Sequence, residues 1–385
     1  MKFQRSAPRV LIFSVVVVVI GMAVLSNRLF SGLTSAVEQD QFELIRALWS
    51  YNLTAAENRA LERAEMIAAL PAVREAFAAR DREALLAQCA ETFKRQKERY
   101  GVDQAQFHVP PAISFLRLHA PEQYGDHQDQ FRPMVVAVNR DRFSRKESAI
   151  AGTGPAIFGV TPMTDTAGEH IGSFELGMNF GPLLHALKAA YRLEMALFIE
   201  EQPLRQLMFA EGLNPEFLTE ENRRGKYVKF HSTNWALMKE LVGEGDLSGP
   251  AETQYTRSVL DVPYGVVLLT LYNNAGDPIG KVAMARDFSS SRAAAGRSLV
   301  WQGLIALSAI VLLAGMILIV VRGLLLRPLE MLSQQFVKLA EGRRDQPIRE
   351  TETLCDEMQA LAQAHEQLRT KPQPFAADTE KKVAP

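Results

Sequence analysis

Thr166-Ala167-Gly168-Glu169-His170-Ile171-Gly172 recurs 108 residues later as Asn274-Ala275-Gly276-Asp277-Pro278-Ile279-Gly280, and Phe180 matches Phe288 in the same register. In each copy an apolar run precedes the Ala-Gly-acid segment and another strand-like run follows it. Such a pattern is a β-hairpin, in which glycine supplies the positive φ of a tight turn. Five of fifteen aligned positions are identical. The offset is about the size of one small domain. Together these predict two tandem α/β modules, roughly 101–186 and 190–290.

Upstream of the first copy, residues 35–100 are rich in Ala, Leu, Glu and Arg, a helix-forming composition. A long helix is expected through Phe42, Ile45, Trp49, Ala56 and Leu70, with a break at Pro71. One or two shorter helices should follow from Ala72 to Tyr100 and stop at Gly101. Beyond Gly101, the runs Ala112–His119 and Met134–Asn139 are predicted strands.

The chain-wide averages describe an ordinary soluble protein: 43 basic and 44 acidic side chains, a net charge of -1 and 47% hydrophobic residues. No basic excess marks a nucleic-acid binder. Two cysteines, Cys89 and Cys355, exclude a disulfide framework or a cysteine-rich metal site. The apolar residues are unevenly spread, however. Val10–Asn27 and Ser298–Val321 are uncharged runs of 18 and 24 residues. At about 1.5 Å per helical residue they reach roughly 27 and 36 Å, against a hydrocarbon core of about 30 Å. Transmembrane helices in the lipid bilayer are therefore predicted at 10–30 and 298–321. A secretory leader is the alternative for the first, but Thr34-Ser35-Ala36, its candidate cleavage site, comes late. Lys2, Arg5 and Arg9 before the first run, and Arg322 and Arg327 after the second, place both termini in the cytoplasm. Residues 31–297 then lie outside, in the periplasm of a multi-pass inner-membrane protein, and Cys89 and Cys355 lie on opposite sides.

After the second span, Leu329, Leu332, Phe336 and Leu339 are spaced three, four and three, a coiled-coil seam that ends at Ala340-Glu341-Gly342. A polar connector holding Ile348 leads to a second seam, Leu354, Met358, Leu361, His365 and Leu368. The last residues, 371–385, are Pro, Lys and Ala rich and read as a disordered tail.

The order of long helix, two hairpin-bearing modules and second span resembles the double Cache sensory region of bacterial chemoreceptors and sensor kinases. The segments that carry the resemblance include Phe107–Ala112, Ser114–His119, Gly125-Asp126, Phe131-Arg132, Val135-Val136 with Asn139, and Gly172–Gly177. The resemblance implies an α+β architecture: PAS-like sheets flanked by helices, with small ligands bound on the open face of a sheet. Phe158 stands where an arginine is expected before Gly159. Residues 322–370 resemble a HAMP domain, with Pro328, Gly342 and Asp356-Glu357 at that family's Pro, Gly and Asp-Glu positions. A HAMP domain implies a homodimer, since two subunits build its four-helix bundle.

Arg117 and His119 are two apart on a predicted strand and project from one face. With Arg132 they could clamp a small carboxylate, because guanidinium is a planar bidentate donor. Glu175 belongs to the same candidate ligand site. Alternatively Arg117 pairs structurally with Asp126 or Glu175, His119 caps the strand, and His108 beside Pro110-Pro111 is a packing residue. His119, His127 and Asp126 lack a regular metal-ligand spacing. Tyr255 and Tyr264 are expected to pack in the second module. His365 lies on the heptad seam, which explains it better than a distant phosphoacceptor likeness. No phosphate loop, Ser-His-Asp set or paired-carboxylate motif is present, so no enzyme and no cofactor is expected. The expectation is a membrane sensor for a small extracytoplasmic ligand. It would signal through its HAMP to a partner in trans, since no output domain follows in this sequence. A scaffold or regulatory subunit, or a truncated receptor, is the alternative.

Overall fold

In the computed structural model, which describes residues 2–152, 154–210, 218–343 and 356–370, the chain divides into two units. One is Thr34–Ala293; the other combines Met1–Leu33 with Ala294–Pro385. Ile348, Leu354, Cys355 and the predicted tail lie outside the described residues.

The first helix, α1, runs Lys2–Ala68, and α2 (Pro71–Ala78) starts on the proline that ended it. Proline suits the first helical turn, where its missing N–H has no intrahelical partner. Asp81 caps α3 (Arg82–Tyr100) by accepting from the Ala84 N–H, and Gly101 closes it at φ 68°. Within the sensor-sized unit, α1 buries Phe42, Ile45 and Trp49, then Ala56, Ala60, Ala64 and Ala68 at intervals of four. Those small residues let the helix lie flat on a sheet.

That first sheet contains β1 (Val102–Val109), β2 (Ile113–Arg117), β3 (Arg145–Ala151), β4 (Gly154–Thr164) and β5 (His170–Asn179). Its spatial order is β2-β1-β5-β4-β3, antiparallel throughout. Helix α4 (Pro133–Asp141) lies between β2 and β3 in sequence, and α5 (Gly181–Tyr191) leads onward. The second sheet follows with β6 (Glu194–Glu200), α6 (Glu201–Ala210), β7 (Arg223–Arg224) and β8 (Tyr227–Ser232). It continues through α7 (Trp235–Leu241), α8 (Glu244–Leu247), β9 (Glu252–Val259), β10 (Val262–Tyr272) and β11 (Pro278–Asp287). Its order, β7-β8-β6-β11-β10-β9, repeats that of the first sheet with one short edge strand added. The sequence repeat is therefore a repeat of topology.

The two hairpin turns coincide in detail. Asp165 Oδ1 accepts from the Ala167 and Glu169 N–H groups, and Asn273 Oδ1 accepts from those of Ala275 and Asp277. Gly168 and Gly276 take φ values of 87° and 86°, a region in which a Cβ is strained.

One predicted strand is corrected. Met134–Asn139 lies in helix α4, although its Val-Val-Ala-Val run favours extended structure. Pro133 opens the helix, and Met134, Val135, Val138 and Asn139 share one buried face. The three apolar members cluster with Ala156, Phe158 and Val160 of β4. Packing against the sheet outweighs local β propensity here.

β11 passes directly into α9 (Ser289–Val320). Among the described residues, Val300–Ala340 is the one helical stretch that is long enough to cross a membrane and holds an apolar enough window, 18 residues with a mean hydropathy of 3.1. Ile12–Ser26 is a shorter apolar helix. In the same unit as Val300–Ala340, α10 (Arg327–Ala340) and α11 (Asp356–Thr370) bury Leu332, Met358 and Ala362 together. His365 is 2% exposed there, edge-on to Phe336 at 5.0 Å and 3.2 Å from the Gln335 carbonyl oxygen.

Candidate ligand site

The side-chain alternation of β1 sets the site. Ala105 and Phe107 face the helical core with Phe174 and Leu176 of β5. The intervening positions, Gln104 and Gln106 on β1 and Glu175 on β5, turn to the other face. There they meet α4 and the loop that follows β2, enclosing a cavity of about 200 Å³. His119, Asp126, Gln128 and Arg132 complete its polar wall, and Phe131 and Ile150 add apolar surface. The volume falls below the roughly 300–1,000 Å³ of drug-sized sites, so the cavity suits a small molecule.

Arg132, just ahead of Pro133, reaches across to Glu175: Nη2 is 2.6 Å from Oε1 and Nε is 3.3 Å from Oε2. Both residues are almost wholly buried, and the guanidinium lies 4.2 Å over the Phe158 ring. Phe158 thus forms a floor beneath Arg132 at the position where an arginine was expected. Burial opposes ionisation of Glu175, but Arg132 and the adjacent His108 outweigh it and hold the carboxyl down to about 2. His108 Nε2 is 3.5 Å from Glu175 Oε2, and neither ring nitrogen has a hydrogen-bond partner among the described residues.

Arg117 takes a different partner. It donates to both oxygens of Asp126 at 2.8 Å and to the Gln123 carbonyl at 3.0 Å, and it does not line the cavity. Asp126 in turn accepts from Gln128, whose oxygen accepts from Gln106. His119 sits past the end of β2, where Nδ1 accepts from the Ala105 N–H at 3.4 Å. Burial, helped by Arg117, pushes His119 down to about 4, so near neutrality it carries its proton on Nε2. Of the four residues picked from sequence, His119, Arg132 and Glu175 come together and Arg117 stands behind Asp126. Both guanidiniums are already paired in charge with protein carboxylates. Three glutamines, Gln104, Gln106 and Gln128, escaped notice. Their sequence signal was the Gln104-Ala105-Gln106-Phe107-His108 alternation, polar on one face of an otherwise buried strand.

The second module touches the region beside this site. The Asn274 backbone N–H donates to Glu147 Oε2 at 3.2 Å, and its side chain donates to the Lys146 carbonyl at 2.8 Å. Glu147 is 6% exposed, and burial raises its pKa against the pull of Arg132. Tyr255 and Tyr264 pack at the second module's core, and the Tyr255 hydroxyl donates to the Leu241 carbonyl. Cys89 is buried, with its thiol pushed up to about 11.

Paired sheets of one topology, with a polar cavity on the first, define a double sensory domain. Residues 48–291 match the dCache_3 family, described as the double sensory domain of two-component sensor kinase, and the chain belongs to that family. Among solved structures it is similar to the periplasmic domain of Vibrio cholerae LuxQ (TM-score 0.38, 12% identity, covering 65% of this chain and 99% of that one). It is also similar to the sensory domain of the Campylobacter jejuni chemoreceptor Tlp3 with isoleucine bound (0.37, 9%, 69% and 97%). A third is the V. cholerae histidine kinase DctB sensor domain (0.39, 7%, 66% and 98%). No curated protein matches the chain.

Proposed function

We propose that this protein is a membrane-anchored sensor that takes a small extracytoplasmic molecule in the cavity of its first module. The observation that carries this reading is the polar wall of that cavity in a double sensory domain, where Gln104, Gln106, His119 and Arg132 converge on about 200 Å³. Spans at 10–30 and 298–321 hold it in the inner membrane with the modules in the periplasm and both termini in the cytoplasm. Occupancy favours one arrangement of the helices that enter the membrane, and a HAMP over 322–370 passes that bias on. The burial of Leu332, Met358 and Ala362 between α10 and α11 supports that assignment. Leu329, Leu361 and Leu368 of the two seams, with Val337 beside them, remain exposed and suit pairing with a second copy and with a signalling partner in trans.

A thermal-shift screen of small polar molecules on the detergent-solubilised chain tests the site, with Gln106→Ala as the cavity variant. A hit that stabilises wild type and Gln106→Ala equally sinks the site assignment. Crosslinking in native membranes tests the transmitter: only solitary monomer in the products sinks the trans-signalling half.

A further inference from the structure

Resting on the sensor reading of this cavity, we infer that its ligand is uncharged and presents a hydrogen-bond donor and acceptor side by side, as an amide, lactam or diol does. The charge balance excludes a free carboxylate. Arg132 has its charge countered by Glu175, to which Nη2 and Nε donate at 2.6 and 3.3 Å. Arg132 also pulls the pKa of the buried Glu147 down, against the burial that raises it. A ligand carboxylate would bring a further anionic group to one cation whose charge Glu175 already balances. The second arginine, Arg117, is outside the lining and forms a two-pronged pair with the lining residue Asp126. A ligand cation fares no better, since Glu175 and Asp126, the carboxylates that line the cavity, already hold guanidiniums.

What the wall does offer is neutral. Gln104 is 6% exposed, lines the cavity, and its carboxamide has no hydrogen-bond partner among the described residues. Its amide oxygen and N–H groups are therefore free to bond a guest in the cavity. Gln106 gives one N–H to Gln128 and keeps its oxygen and second N–H. His119, with Nδ1 engaged by Ala105, offers Nε2–H. Two carboxamides on one strand face, each an acceptor beside a donor, complement a guest carrying the reverse pair. The volume limits that guest to a single small ring or a short chain.

The test uses the full chain in detergent, with calorimetric titration and thermal shift at neutral pH. The uncharged probes are uracil, acetamide and glycerol; the charged ones are succinate, acetate and putrescine. At least one uncharged probe should bind wild type, at least tenfold more weakly to Gln104→Ala, while the charged probes do not bind. Glu175→Gln, which frees Arg132, should gain acetate or succinate binding. Gln104→Glu, of the same shape, should also lose the uncharged probe, which separates recognition from misfolding of the alanine variant. If no uncharged probe binds, or if succinate, acetate or putrescine binds wild type, the ligand class is overturned. In the charged case, loss of that binding in Gln106→Ala means the sensor site itself stands. An uncharged probe that binds wild type and both Gln104 variants alike overturns the class and the cavity assignment together.

Discussion

Replacing Glu175 with glutamine keeps the side-chain shape and removes one charge from a buried pair. Arg132 is then left with a neutral acceptor in a place where its side chain is 7% exposed. Breaking a buried ion pair by removing one partner costs about 3–5 kcal/mol, because the remaining charge stays desolvated. Glu147 still acts on the guanidinium, so the lower end, about 3 kcal/mol, is expected. For a unit of this size each kcal/mol moves Tm by about 2–4 °C, giving a loss of roughly 6–12 °C at pH 7. The acid behaviour must change too. Glu175 is held at about 2 in the fold, below the unfolded carboxylate value of about 4.3. The pair's contribution is therefore fully present above the unfolded value and fades as pH falls toward 2. Glu175→Gln should lack that portion of the slope. The assay is a thermal melt of the solubilised chain from pH 7 to pH 2.5, for wild type and variant. A Tm loss under about 2 °C at pH 7, or identical acid slopes, would refute the view that this pair holds the cavity wall.

Gly159 sits where an added Cβ would come within 2.3 Å of the Leu61 backbone nitrogen. Gly159→Ala should cost about 1–3 kcal/mol and Gly159→Val more, since α1 cannot yield locally; chemical denaturation checks the order. Asn274→Ala removes the side-chain bond to the Lys146 carbonyl, an expected loss of about 1 kcal/mol. Hydrogen exchange should then speed up in the Asn273–Asp277 turn and in β3, while unchanged protection there would count against the contact. His119 titrates at about 4 when folded, below the unfolded value of about 6.5. It therefore disfavours the fold increasingly as pH falls from about 6.5 to 4. His119→Gln should flatten stability over that window, as read by Tm against pH.

Much of the fold follows from short-range chemistry, and short-range chemistry is visible in sequence. Pro71 and Gly101 punctuate helices because one lacks an N–H and the other tolerates a left-handed φ of 68°. The Ala-Gly-acid turns announced two hairpins because few residues satisfy that geometry. The same local rules failed at Met134–Asn139, where β-branched residues form a helix on the face of β4. What is decided there is burial against a partner distant in the chain, and local propensity is weaker than that.

The candidate site divides along the same line. From sequence come four polar candidates, Arg117, His119, Arg132 and Glu175, of which the last three line the cavity. The alternation of Gln104 and Gln106 with Ala105 and Phe107 was equally available as a polar face. Only the tertiary structure decided which guanidinium meets which carboxylate. Arg132 and Glu175 are 43 residues apart, brought together by strand pairing and by the entry to α4. Arg117 and Asp126, nine apart, close on each other behind the wall. Charge in a buried site is set by pairwise distance, and no spacing along the chain encodes that distance. The sequence thus determined a repeated sensory fold and a polar stretch of chain, and the packing of sheet and loop decided that the arginines there meet protein carboxylates.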